Sequence, residues 1–369
     1  MRLLQKECGK CLRHPFLWIV CITFGLFQFL SIYTYVGNAG MRKELRQMHV
    51  VVTDEETASP EYESAYADYK KTYGGMYDTL DMRKILEQKE KKSGYEPQGV
   101  WGSWIVRNYD RLQKRVEQIR KTGEGTYAFY PGNWYKLHTT LYGKLWKKLI
   151  LQTAVLMILS MLYLMDYERI YKTQDLVLAT TTGKKMMEKK MLAGTLCGLF
   201  YAGLLTVFTL LVFFAAVPFQ NLWHVPVAAC MVAEPRLQMM YPFVTFWWLE
   251  QWRYLLLALV VLVGLLGIVA AVTAAVQLFL QNSYFSFAVL GLLFMGAYLL
   301  AYVQMGNVWD LIRELFNPTV LYATSGGWFM ENDLLLSFAG NEFAVLFCSG
   351  TAAVCLMAVG KRRYHRLEV

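Results

Sequence analysis

An all-α polytopic membrane protein is predicted by two features of this sequence: six long apolar runs free of Lys, Arg, Asp and Glu, and the lopsided placement of basic residues between them. The chain has 369 residues, 56% of them hydrophobic, with a mean hydropathy of +0.28. A bilayer core of about 30 Å takes about 20 apolar residues as helix, because the backbone must satisfy its hydrogen bonds internally there. The runs at 16–36, 149–165, 191–217, 254–280, 285–303 and 343–359 meet or approach that length. Buried helices of a large soluble protein are the alternative, but ion-free segments of this length are rare in soluble chains.

Residues 1–15 are expected to form an interfacial elbow helix. At 100° per residue, Leu3, Leu4, Cys8, Cys11 and Leu12 share one half of the wheel. Arg2, Lys6, Lys10 and Arg13 fall on the other, the pattern of a helix lying among headgroups, with Pro15 as the turning point. The first span, 16–36, is longer than the apolar core of a signal peptide and lacks a strong small-residue cleavage pattern, so it is read as retained.

The segment 37–146 is polar and tyrosine-rich, and it is expected to be an extracellular helical domain inserted between the first and second spans. Three helical stretches end at glycine stops: "SPEYESAYADYKKTYG" at Gly74, "MYDTLDMRKILEQKEKKSG" at Gly94 and "VWGSWIVRNYDRLQKRVEQIRKTG" at Gly123. The transmembrane domain then occupies 147–369, with a charged loop at 166–190. The pieces before the fourth and sixth spans hold prolines and interface-loving aromatics and are read as loops and short helices.

Charge sets the orientation. The stretch before Pro15 has Arg2, Lys6, Lys10 and Arg13 against Glu7, and the tail has Lys361, Arg362, Arg363 and Arg366 against Glu368. The 166–190 loop also carries more basic than acidic groups, whereas 304–342 has one Arg against five acids. Positive short loops mark the cytoplasm, so both termini and the 166–190 loop are placed inside a plasma-membrane protein. The basic pI of 9.0 then reflects topology and lipid contact rather than nucleic-acid binding.

No catalytic or metal site is legible. "CGKC" at Cys8–Cys11 has zinc or redox spacing, but zinc needs two further ligands and only His14 is nearby in sequence, so the pair reads as two thiols on the apolar face of the elbow. The seven cysteines avoid 37–146, which is therefore not a disulfide scaffold. The histidines at 14, 49, 138, 224 and 365 make no H-E-x-x-H, and there is no G-x-S-x-G turn or complete phosphate-binding loop. The spans lack the ionisable residues of proton relays, and Gln28, Gln152, Thr206 and Gln277 are read as interhelical glue.

The loop "DYERIYKTQDLVLATTTGKKMMEKK" is the most informative stretch. Glu168 and Lys172, and Tyr171 and Asp175, stand four apart, so a helical turn or two is expected before the "TTTGKK" break, and a helix restarts into the third span. A topology-setting basic loop would carry no more order than that. The stretch also resembles the first cytoplasmic loop of type 2 ABC-transporter permeases (ABC exporter transmembrane subunits). The matching positions are Glu168, Thr173, Asp175, Leu176, Leu178, Ala179, Thr180 and Lys184, with Lys189 or Lys190 as a later lysine. Lys172 stands where that family has glycine and Thr181 where it has proline, with Gly183 following in the break. The elbow helix, six spans and short external helices before the last span extend the resemblance over nearly the whole chain.

The resemblance implies a permease subunit of an ATP-driven exporter, half of a translocation pathway. Its partners would be a separate ABC ATP-binding subunit, which binds the ATP, and a second permease copy or sibling. It would need no cofactor of its own and would not be an enzyme. The loop would be a coupling helix: Glu168 and Asp175 would meet basic residues of the ATPase, Leu176 and Leu178 would fill its groove, and Lys184 would cap the contact. The size of the external segment motivates a different class of function, a non-transporting sensor or scaffold that binds a ligand or envelope component.

Overall fold

The computed structural model describes residues 2–38, 75–93, 99–126, 137–173, 183–217, 222–231, 243–303, 308–331 and 338–367, with single positions 64, 67, 71 and 219. Regular structure among these residues is helical, apart from two isolated antiparallel bridges, Pro226 with Glu250 and Thr245 with Met330. Helix α1 (Arg2–Leu12) breaks at Arg13 and His14, and α2 (Pro15–Val36) starts with proline at a position where a missing N–H is harmless. Two polar helices follow, α3 (Met82–Ser93) and α4 (Gly99–Thr122). A π-helical stretch (Thr139–Leu145) leads into α5 (Trp146–Met165), then the short α6 (Tyr167–Ile170) and the long α7 (Gly183–Ala216). The remainder is α8 (Val227–Met231), α9 (Gln251–Leu280), α10 (Ser283–Ala301), α11 (Val308–Leu315), α12 (Thr319–Ala323) and α13 (Asn341–Leu367).

Six of these segments are long and apolar enough to cross a membrane, one at each predicted run, so the chain is an all-α polytopic membrane protein. Their helices extend beyond the apolar runs. The third begins at Gly183 rather than 191, and the last continues past 359 to Leu367. Charged side chains at these extensions pair with each other, as Lys361 does with Glu188, which lets the helices outrun their hydrophobic length.

The second span is the central post: 61% of its apolar window is buried inside the protein, against 17% for the fifth. It lies against α7 at close range. A Cβ on Gly194 or Gly198 would stand only 3.0 Å from the Cα of Met161 or Met157, so this small-xxx-small pair lets the two backbones approach. Gln28 of α2 donates to Gln152 of α5 at 2.8 Å, an interhelical bond of the kind expected. Thr206 behaves differently. Its hydroxyl returns to the carbonyl of Ala202 in its own helix, because a threonine can bond the preceding turn without any partner helix.

The end of the bundle opposite the termini carries a helical cap. Tyr77, Leu80, Met82 and Ile85 pack with Tyr109, Leu112, Val116 and Ile119, and this core includes Ala228 and Val244 from the piece before the fourth span. Arg115 is buried and forks onto both oxygens of Glu124 at 2.6 and 2.7 Å, while its Nε donates to the Thr245 carbonyl at 2.9 Å. Burial raises the Glu124 carboxyl above the usual carboxylate range, and Arg115 opposes that rise. Lys89 pairs with buried Glu331 at 2.5 Å. The 37–146 segment thus does not pack by itself: its second and third expected helices are joined to both later loops. The first, at 59–74, lies outside the described residues apart from three positions.

Candidate functional site

The charged loop leaves the bundle at the termini end. Asp166 follows the last turn of α5 and accepts from Ser283 Oγ at 2.8 Å, which ties the loop's start to the turn between the fourth and fifth spans. The chain then makes one helical turn, α6, and stops. Lys172 N–H donates to the Arg169 carbonyl at 3.1 Å and Thr173 N–H to the Glu168 carbonyl at 2.8 Å. Lys172 itself has φ 56°, the left-handed conformation. This is a complete Schellman stop, whose left-handed position usually holds glycine. The expected helix of a turn or two is therefore a single turn. The Glu168–Lys172 pairing expected from their spacing is replaced, because a left-handed residue leaves the helical register that brings i and i+4 together.

Glu168 turns inward instead. It is 6% exposed, its Oε1 lies 3.2 Å from Lys10 Nζ of α1, and its Oε2 pairs with Lys190 of α7, itself 4% exposed. Lys10 also pairs with buried Glu7 at 2.6 Å and lies over the Tyr167 ring, 4.4 Å from its centroid. Glu7 and Asp166 act electrostatically on Lys190 as well. Five ionisable groups from the elbow, the loop and the third span thus form one cluster, with Glu7, Glu168 and Lys190 buried and Lys10 and Asp166 half-buried. The expectation that Glu168 meets a basic residue of another chain does not match this arrangement, in which both of its oxygens are engaged internally.

The other candidate residues divide as follows. Thr173 is half-buried and closes the α6 stop with its N–H, its hydroxyl lying 3.4 Å from the same carbonyl. Asp175, Leu176, Leu178, Ala179, Thr180 and Thr181 lie outside the described residues. Gly183 and Lys184 are the first two residues of α7, so the helix restarts at the predicted break. The sequence pattern missed Glu7, Lys10 and Ser283 as members of the site. The one available signal was Glu7, the lone acid of α1, placed one turn before Lys10.

The elbow thiols sit beside this cluster. Cys11 is fully buried, and Cys197 of α7 donates to the Cys8 carbonyl at 3.8 Å. Burial first, and the neighbouring Cys197 second, push the Cys8 thiol up to about 11, so it is protonated and unreactive at neutral pH. Among the described residues no group of three or more His, Cys, Asp or Glu side chains is arranged to hold a metal ion.

Comparison of the chain with protein-family models, curated proteins and solved structures returns no match.

Proposed function

We propose that this chain is the permease subunit of an ATP-driven transporter, an exporter by its resemblance, in the plasma membrane with both termini cytoplasmic. The 166–190 loop would be the handle on which a separate ABC ATP-binding subunit acts, and a second permease copy or sibling would complete the pathway. One observation supports this most directly. The base of the loop is locked by Glu168 to Lys10 of the elbow and Lys190 of the third span, so displacement of the loop moves three membrane elements together. A population shift between transport states needs such a rigid contact, because ATP must favour one state by several kcal/mol. In this reading Glu168 is a positioning residue and the contact with the ATPase is assigned, by the resemblance, to Asp175, Leu176 and Leu178.

The test is photo-crosslinking from position 178 in native membranes, followed by identification of the captured chain and its ATP binding. Capture of an ATP-binding subunit, together with loss of coupled ATPase in Asp175→Lys, supports the proposal. Capture of a kinase, or of no chain, sinks it and favours the sensor or scaffold. The observation in favour of that second reading is the cap, which the Lys89–Glu331 ion pair joins to the loop before the sixth span and the Arg115–Thr245 hydrogen bond joins to the loop before the fourth, and which could report ligand binding to the spans.

A further inference from the structure

A cleft of about 330 Å³ opens between α2 and the start of the second span, at the cap end of the bundle. Its polar walls include Ser31, Thr34, Thr140, Lys144 and Lys148, and none of the eight residues lining it is acidic. Lys144 and Lys148 are four residues apart and both exposed, so two ammonium groups flank the cleft about one turn from each other. Lys147, between them, points elsewhere: it lies 3.4 Å from the Ala323 carbonyl and over the Tyr322 ring.

Lys148 does not simply extend into water. Its Nζ donates to Ser31 Oγ at 3.0 Å and lies 5.3 Å from the centroid of the Phe27 ring, one turn deeper along α2. One turn further along both helices, the buried Gln28–Gln152 bond ties α2 to α5. A charge is therefore held against α2, next to an aromatic ring of the first span, whereas a lysine near a helix end would ordinarily snorkel outward. Below the cleft, Phe27 and Leu30 of α2 and Leu151 of α5 are 51%, 56% and 41% exposed, an apolar track leading toward the membrane middle.

We propose that this cleft binds the phosphate group of an anionic phospholipid from the leaflet on the cap side. Lys144 and Lys148 neutralise the phosphate, the Ser31 hydroxyl donates to one of its oxygens, and the acyl chains lie along Phe27, Leu30 and Leu151. Ammonium groups are point-charge phosphate binders, and charge-assisted bonds of this kind are the strong ones. Selectivity follows from the composition of the described walls: among these residues the cationic headgroup of a zwitterionic lipid finds no carboxylate. The proposal is independent of whether the protein transports anything.

The experiment uses the full chain purified in mixed phosphatidylcholine and phosphatidylglycerol micelles, with the bound lipid counted by native mass spectrometry. The wild type should retain phosphatidylglycerol about tenfold above its bulk ratio, each surface-level lysine contributing severalfold. Lys144→Gln with Lys148→Gln should return the adduct to the bulk ratio, whereas Lys144→Arg with Lys148→Arg and the control Lys147→Gln should keep it enriched. A second arm adds inorganic phosphate to phosphatidylcholine micelles and reads thermal stability. Saturable stabilisation that disappears in the double Gln variant, without phosphatidylglycerol enrichment, would keep the phosphate site and make free phosphate its ligand. The proposal is overturned if the wild type shows neither effect, if the double Gln variant retains the enrichment, or if Lys147→Gln abolishes it equally.

Discussion

Glu168 Oε1 lies 3.2 Å from Lys10 Nζ, although 158 positions separate the two residues in sequence. With Lys190 on the other oxygen, this carboxylate joins the elbow, the loop and the third span. The arrangement makes the loop's base rigid and buries charge, and buried charge has a strong asymmetry between removing one partner and removing both.

We therefore expect Glu168→Gln to destabilise the protein by about 3 kcal/mol, because buried Lys190 loses the carboxylate it pairs with directly and keeps only the more distant Glu7 and Asp166. Lys190→Met in the same background should restore part of that loss. A double-mutant cycle on unfolding in detergent measures the coupling, and additive effects would mean that the pair is not made.

At position 172 the backbone is left-handed, a conformation that costs an L-residue about 1 kcal/mol or more and glycine almost nothing. Lys172→Gly should stabilise the α6 stop, raising the melting temperature by about 1–2 °C in a chain of this size. Lys172→Val should lower it, since β-branched residues tolerate positive φ worst. Equal melting temperatures for all three proteins would show that this turn is not held in the left-handed form.

The helix contact at Gly198 has no space to give. Gly198→Ala places a methyl 3.0 Å from the Met157 backbone and should cost about 1–3 kcal/mol. Gly203→Ala, on the same helix with nothing within 4 Å, should be neutral or slightly stabilising. Thermal unfolding of the two variants side by side decides it.

His138 sits fully buried at the entrance to the second span, and burial lowers its imidazole to about 4. Its folded pKa is below the unfolded value near 6.5, so the unfolded chain takes up the proton first. Stability from the neutral ring is complete above pH 6.5 and declines as pH falls toward 4, by about 3 kcal/mol in all. In His138→Gln this part of the acid-side slope should vanish. Unfolding free energies of both proteins between pH 4 and 7 are the measurement, and parallel curves would refute it.

The cap and the loop show where local pattern stops being informative. The helices ending at Gly94 and Gly123 could be read from periodicity and glycine stops, because both are local properties of the chain. That Arg115 would be buried against Glu124 and Thr245 could not, since Thr245 is 130 residues away and arginine is ordinarily a surface residue. Likewise Glu168 was expected to meet a basic residue of another chain, and only the fold turned it inward onto Lys10 and Lys190.

The sequence by itself determined the six spans, a helix before Pro15 and a helix restart after the TTTGKK break, within a residue or two of Gly183, because hydrophobic length and breaker residues act within a few turns of chain. Only the tertiary structure decided that α6 ends at a left-handed lysine, that Glu168 answers to Lys10 and Lys190, and that the 37–146 segment shares its core with the loop before the fourth span and an ion pair with the loop before the sixth. The reason is physical. A buried charge or a close backbone approach is settled by whichever partner the packing brings near, and no spacing rule along the chain specifies that partner.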